Sequence, residues 1–255
     1  MPYLLFDGKN SPSIPFTLNR ASPQAAGLLL WYPTVGYVGR LADYAAANHF
    51  GGTLTGPPGV RREPSVGIGM DFTGSERWEV THVSDLSTTT RTISAWVIGD
   101  TLTGTQTIVK KDVEYILRCD NTSLTLYTWT SGGLNQISAT LSTGTLYHVC
   151  GTWDGTNAVL YVNGVQKNTS TPGGTTSTSS NNWTIGAQPG GGEGWDGLIA
   201  DVRLYNRALS AAEIWSLYAP QTRWDLYRVT PFAGAPSIAA PVVSGAIRMP
   251  LLGVG

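Results

Sequence analysis

The chain has 255 residues, a net charge of -1 and a 13% charged share, against about 25% in ordinary globular chains. This near-neutral surface excludes an electrostatic grip on nucleic acid or on an anionic membrane. No uncharged apolar run reaches the ~20 residues that span a bilayer, and the N-terminus lacks the basic-then-apolar pattern of a signal peptide. The hydrophobic share of 41% is enough for a core, and the 31 glycines and 15 prolines suit a fold with many turns.

Residues 1–30 read as an arm. Pro2, Pro12, Pro15 and Pro23 rule out a long helix. Gly27 to Tyr32 (GLLLWY) is a buried strand entering the main domain. Residues 33–65 look irregular, with one helical turn expected from Asp43 to Asn48 and Arg61-Arg62 on a solvated loop.

The β pattern begins near Val66, where Ile68, Met70 and Phe72 alternate with Gly67, Gly69 and Asp71. Thr92 to Ile98 puts Ile93, Ala95 and Val97 on one face and Ser94, Trp96 and Ile98 on the other. Strands follow at Thr107–Lys111, Glu114–Cys119 and Ser123–Trp129, separated by turn-forming residues. From Tyr147 to Lys167 the segments YHVCGTW, AVLYV and VQK are separated by turns at Asp154-Gly155 and Asn163-Gly164. Asn-Gly is a strong hairpin signal, because both residues tolerate positive φ. Thr169 to Asn182 is a Thr/Ser/Gly loop, expected to be mobile, and Trp183–Ala187 is a further strand.

Leu198 to Tyr205 alternates strictly. Leu198, Ala200, Val202 and Leu204 are expected on one face, with Ile199, Asp201, Arg203 and Tyr205 on the other. Ser210 and Glu213 have the spacing of a capping box, and Ile214, Leu217 and Tyr218 follow at helical spacing until Ala219-Pro220 stops the helix. Residues 220–255 form a proline-rich apolar tail, too greasy for an ordinary disordered one. Domain 31–219 thus lies between two arms, and the fold class is all-β: an antiparallel sandwich or jelly roll with one short helix. Cys119 and Cys150 match no metal or redox spacing, and both are expected as buried free thiols, with a disulfide as the alternative.

Three segments carry a resemblance: MDFTGSERWEV, LYHVCGTWDGTNAVLYVNGVQ and WDGLIADVRLYNRALSAAEI. Over roughly residues 66–219 the chain resembles laminin G-like domains of the concanavalin A-like lectin/glucanase superfamily. The resemblance implies a two-sheet jelly roll with one concave sheet. It does not fix function, because the fold serves lectins, enzymes and structural proteins alike. The flanks NRASPQAAGLLLWYP and YAPQTRWDLYRV resemble those around laminin G-like domains encoded by tailed phages, where such domains belong to virion surface proteins.

Catalysis on this fold needs paired carboxylates, and the Glu-x-Asp-x-Glu pattern of the fold's glucanases is absent. Glu76 and Glu79 are three apart and would point to opposite faces. A glycoside hydrolase is therefore the least favoured reading. The laminin G-like resemblance implies a Ca²⁺ site at the rim, with Asp71, Glu76, Asp196 and Asp201 as candidates; the plain alternative is turn-forming or solvated acids, with Asp201 pairing Arg203 or Arg207. Trp129, Trp183 and Trp195, beside Gly- and Thr-rich loops, are candidates to stack on sugars; the plain alternative is core filling. Arg223, Trp224 and Tyr227 are candidate anchors for a partner. The leading expectation is a non-enzymatic virion surface protein, a head decoration or tail-fibre module located on the virion. It would be held by its arms to capsid or tail proteins, self-associate, and bind glycans as a further property. The alternative is a lectin-like module that recognises a cell-surface polysaccharide.

Overall fold

A computed structural model of the chain describes residues 16–33, 43–45, 52–56 and 58–229. The strands are β1 (Phe16–Leu18), β2 (Leu28–Tyr32), β3 (Gly52–Thr55), β4 (Gly59–Glu63), β5 (Gly67–Thr73), β6 (Arg77–Val80), β7 (Arg91–Gly99), β8 (Thr105–Lys111) and β9 (Tyr115–Asp120). They continue with β10 (Ser123–Thr130), β11 (Gly133–Thr140), β12 (Tyr147–Trp153), β13 (Ala158–Val162), β14 (Val165–Ser170), β15 (Trp183–Ile185) and β16 (Asp196–Tyr205). Helix α1 (Ala211–Tyr218) and β17 (Tyr227–Val229) close the series. The sandwich is built from a seven-stranded sheet, β11-β10-β9-β8-β15-β6-β3, and an eight-stranded sheet, β14-β13-β12-β7-β16-β5-β4, with β2 also paired to β16.

Between the sheets lies one core that includes Met70, Phe72, Trp78, Ile93, Val97, Leu117, Leu126, Trp153, Trp183 and Trp195. The alternation expected for β7 is borne out: Ile93, Ala95 and Val97 join this core, while Trp96 and Ile98 face the other way. Strict alternation fails in β16. Pairing with β7 slips between Ala200 and Arg203, and Asp201 has φ +49°. One extra residue there is a β-bulge, and Asp is among the few residues that visit left-handed backbone without a large cost. The bulge reverses the phase. Leu198 and Ala200 therefore face outward with Trp96, whereas Val202 and Leu204 face the core with Ile199.

The outer face of the eight-stranded sheet is sealed. Helix α1 starts at Ser210, whose hydroxyl accepts from the Glu213 amide while the Glu213 carboxylate accepts from the Ser210 amide. Its Ile214 and Leu217 pack over Cys150, Tyr161 and Tyr205. Beyond it Phe16, Trp31, Trp224, Leu226 and Tyr227 form a second cluster, in which the Trp31 and Tyr227 rings meet edge to face at 4.7 Å. There β1 pairs with β17, Phe16 opposite Val229. The described parts of both arms, 16–30 and 220–229, thus lie on the sandwich.

Several local expectations are corrected. Residues 52–63 are not irregular but contain β3 and β4, each paired to a neighbouring strand. Arg61 is not on a free loop: it sits in β4 and bridges Asp71 and Asp100. Asp43–Ala45 is not helical, because the Asp43 carboxylate accepts from the amides of Ala45 and Trp31, and the remainder of the turn expected there lies outside the described residues. Both cysteines are free and buried, and burial pushes the Cys119 thiol up to about 12.

Candidate functional site

Among the described residues, the outer face of the seven-stranded sheet carries no helix. In β10 the core takes Leu124 and Leu126, so Thr125, Tyr127 and Trp129 fall on the opposite side. The Tyr127 and Trp129 rings stack with centroids 6.1 Å apart, and Trp129 is half-buried. In β9 the same parity brings out Arg118 and Asp120. The Arg118 guanidinium lies 4.4 Å from the Tyr127 ring centre, and the Tyr127 hydroxyl donates to Asp120 Oδ2 at 2.7 Å. Burial would raise the Asp120 carboxyl, but the Tyr127 hydroxyl and Arg118 outweigh it and hold it below its ordinary value.

Beside this group is a cleft of about 350 Å³, lined by Asp120, Thr125, Tyr127, Gln136, Ser138 and Asn168 among others. Gln136 stands opposite Tyr127 on β11. Further across the face, a second cleft of about 310 Å³ is lined by Lys110, Asp112, Asn181, Asn182 and Gln188. Glu193 links the two regions. Its carboxylate lies 3.3 Å from Lys110 Nζ and 3.6 Å from Arg118 Nη1.

The loop bordering the second cleft is tied down, contrary to the mobility expected of 169–182. Buried Glu114 accepts from the Ser179 amide and hydroxyl, and buried Lys111 donates to the Asn181 carbonyl at 2.7 Å. Trp153 Nε1 donates to the Thr176 hydroxyl at 2.8 Å.

Of the three tryptophans proposed for sugar stacking, only Trp129 reaches solvent. Trp183 and Trp195 are 0% exposed in the inter-sheet core and have no face to offer a ligand. The partner-anchor reading of Arg223, Trp224 and Tyr227 is also corrected. All three are buried against their own chain: Arg223 lies over the Trp96 ring, and Trp224 and Tyr227 pack with Phe16 and Trp31. The apolar sequence around them serves the fold.

The calcium candidates do not assemble. Asp71, Glu76 and Asp196 lie toward one end of the β5–β16 pair, but each is committed. Asp71 pairs with Arg61, Glu76 accepts from the Thr73 amide and hydroxyl, and Asp196 accepts from the Thr101 hydroxyl. Asp201 stands further along β16, sealed by Arg203 and the Trp31 indole. Ca²⁺ takes six to eight oxygens, and among the described residues no three His, Cys, Asp or Glu side chains are placed to share a metal. The residues present do not fit that ion.

Nor do Glu76 and Glu79 fit a hydrolytic pair. A glycosidase needs one carboxyl raised so that it can donate a proton. Burial would raise Glu76, but the Thr73 and Ser75 donors outweigh it and hold it below its ordinary value. The Asn182 amide, with Arg77 and against burial, holds Glu79 low as well.

Comparison with known proteins agrees with this architecture. A laminin G-type model of the concanavalin A-like lectin/glucanases superfamily matches residues 72–215, more than half of the chain. The chain belongs to this superfamily. No curated protein sequence matches it. The binding domain of Paraclostridial Mosquitocidal Protein 1 is similar in structure at TM-score 0.65 and 13% identity; the match covers 76% of this chain and 52% of that one. Domain 4 of AbnA, a GH43 extracellular arabinanase from Geobacillus stearothermophilus solved with arabinotriose, matches at TM-score 0.60 and 21% identity, covering 75% of this chain and 98% of that domain. The binding domain of Botulinum Neurotoxin DC in complex with SialylT matches at TM-score 0.59 and 13% identity, covering 76% and 51%. The chain spans about half the length of the toxin binding domains. At these identities the likeness is one of fold.

Among the described residues no helix is long and apolar enough to cross a membrane.

The sequence singled out Trp129 but missed Tyr127, Arg118, Asp120, Gln136 and Glu193. Strand parity alone would have found Tyr127, two residues before Trp129. Glu193 comes from a glycine-rich loop whose path the sequence does not fix.

Proposed function

We propose that the chain is a non-catalytic, lectin-like module that binds glycan on the outer face of its seven-stranded sheet. The observation that carries this is the polar cleft of Asp120, Gln136, Ser138 and Asn168 against the Tyr127 ring, which stacks on the neighbouring Trp129. Sugars offer apolar C–H faces to aromatic rings and hydroxyls to planar amides and carboxylates, and both partners are present here. The arabinotriose and SialylT complexes of the similar domains support the reading. So does the asymmetry of the sandwich among the described residues, with one outer face closed by α1 and the arms and the other left open. The test is calorimetric titration of the full chain with oligosaccharides. Gln136→Ala and Trp129→Ala should each weaken binding about tenfold. Binding that neither variant changes, or no binding to any glycan, overturns the reading.

We also propose, on the phage-like flanks, that such a module sits on a virion surface. The β1–β17 pair lies outside the eight-stranded sheet, so attachment from that side would leave the glycan face outward. Attachment then falls to residues beyond those strands, since Arg223, Trp224 and Tyr227 are spent on the fold. A chain cut after Val229 should fold and fail to join particles; normal incorporation would overturn the attachment.

A further inference from the structure

The charges of the outer face are laid out in a way that selects among glycans. Lys110 Nζ lies 3.3 Å from Glu193 Oε2 and 3.9 Å from Asp112 Oδ1. Arg118 Nε lies 3.1 Å from Asp120 Oδ1, its Nη1 lies 3.6 Å from Glu193 Oε1, and its Nη2 donates to the Tyr127 hydroxyl at 3.0 Å. Arg77 Nε is 3.1 Å from Glu79 Oε2. Among the described residues of this face, each of these cations already has a carboxylate.

An anionic sugar needs an uncommitted guanidinium or ammonium to offset its desolvation. Here it would meet spent cations and the carboxylates of Asp112, Asp120 and Glu193. A neutral sugar needs only hydroxyl partners, which Gln136, Ser138, the Asn181 side-chain carbonyl and the Gln188 amide nitrogen supply, while Asn168 and Asn182 are spent within the chain.

The two clefts also set a length. One draws on Asp120 of β9 with β10 and β11, the other on the end of β8 and the loops flanking β15. Two to three strand steps of about 4.8 Å separate them across the sheet, roughly 10–14 Å, and they are also offset along the strands, since Asp120 stands beside Thr105 and Lys110 beside Ile116, so the span exceeds one sugar ring. We infer that the face takes an extended stretch of a neutral polysaccharide across its strands, and discriminates against sialylated, uronic-acid or sulfated glycans. This rests on the glycan-binding reading.

The experiment titrates the full chain with neutral arabino-, xylo- and gluco-oligosaccharides of increasing length. Sialyllactose, oligogalacturonate and a heparin oligosaccharide follow, at low and physiological ionic strength. Affinity for one neutral series should rise at least about tenfold from mono- to tetrasaccharide, with each anionic glycan at least about tenfold weaker. Glu193→Gln, which removes the carboxylate shared by Lys110 and Arg118 and leaves them only Asp112 and Asp120, should raise anionic binding while circular dichroism stays unchanged. Tighter binding of an anionic glycan by the unaltered chain overturns the selectivity, and affinity that does not grow with length overturns the extended site. Both results leave glycan binding standing. If no glycan of either kind binds, the parent reading fails and this one with it.

Discussion

Asp201 Oδ2 and Arg203 Nη2 meet at 2.6 Å in a buried ion pair, and the bulge at Asp201 falls where the pair reaches Trp31 on the outer face. The other Asp201 oxygen accepts from the Trp31 indole at 2.7 Å, and Arg203 continues to Gln24 and to the Arg223 carbonyl. One pair thus joins β16 to the entry segment and to the turn after α1. Asp201→Asn keeps a residue that tolerates the left-handed backbone but leaves Arg203 without a counter-charge. It should cost about 3–5 kcal/mol, read as a lower urea midpoint at unchanged slope.

Trp129 and Trp183 should behave in opposite ways. Trp183→Ala empties a fully buried site and should cost about 3–5 kcal/mol of stability. Trp129→Ala removes a half-buried outer ring and should spare most of the stability while weakening glycan binding. Thermal unfolding and calorimetry on both variants separate the two roles.

Stability should fall on mild acidification. Burial, reinforced by Arg203 and Arg223, pulls the His148 imidazole down to about 3, where it packs against Trp96 and Tyr218. The unfolded chain holds a proton there below about 6.5, and the folded one does not until about 3. Stability is therefore full above about 6.5 and falls below it, by up to about 1.4 kcal/mol per pH unit. In urea unfolding between neutral pH and the onset of carboxylate titration, His148→Gln should flatten this slope. An unchanged slope would assign it elsewhere.

Loss of the helix cap should be mild. Ser210→Ala removes the hydroxyl that accepts from Glu213 and should cost about 1 kcal/mol, within a range of about 0.5–2. The helix lies far from the open face, so glycan affinity should not change.

The thiols should stay silent until the chain unfolds. Cys119 and Cys150 are buried in different clusters, and burial raises both. A thiol reagent should react with neither in native buffer and with both in denaturant.

Much of the fold was legible because strand periodicity and turn chemistry are local. Ile93, Ala95 and Val97 announce a face by alternation, Asn163-Gly164 announces a hairpin, and Ser210 with Glu213 announces a helix start. What stayed hidden depends on contacts distant in sequence. Asp201 interrupts its strand without a Gly or Pro to mark it. Trp183 and Trp195 beside glycine-rich loops look the same as Trp129 until the second sheet covers them. Arg223, Trp224 and Tyr227 have the composition of an interface, and their partners turned out to be Trp96 for the first and Phe16 and Trp31 for the other two, all of the same chain. The open face draws on β8 to β11 and the loop of Glu193, and only assembly of the sheet shows that they share it.

The pairing of Phe16 with Val229 has a practical corollary. The first and last described residues thus stand side by side at the back of the sandwich, as the two ends of a handle meet behind a shield. The described module, residues 16–229, should therefore tolerate insertion as a cassette into a host loop whose two ends lie about one strand spacing apart, with the working face turned away from the host.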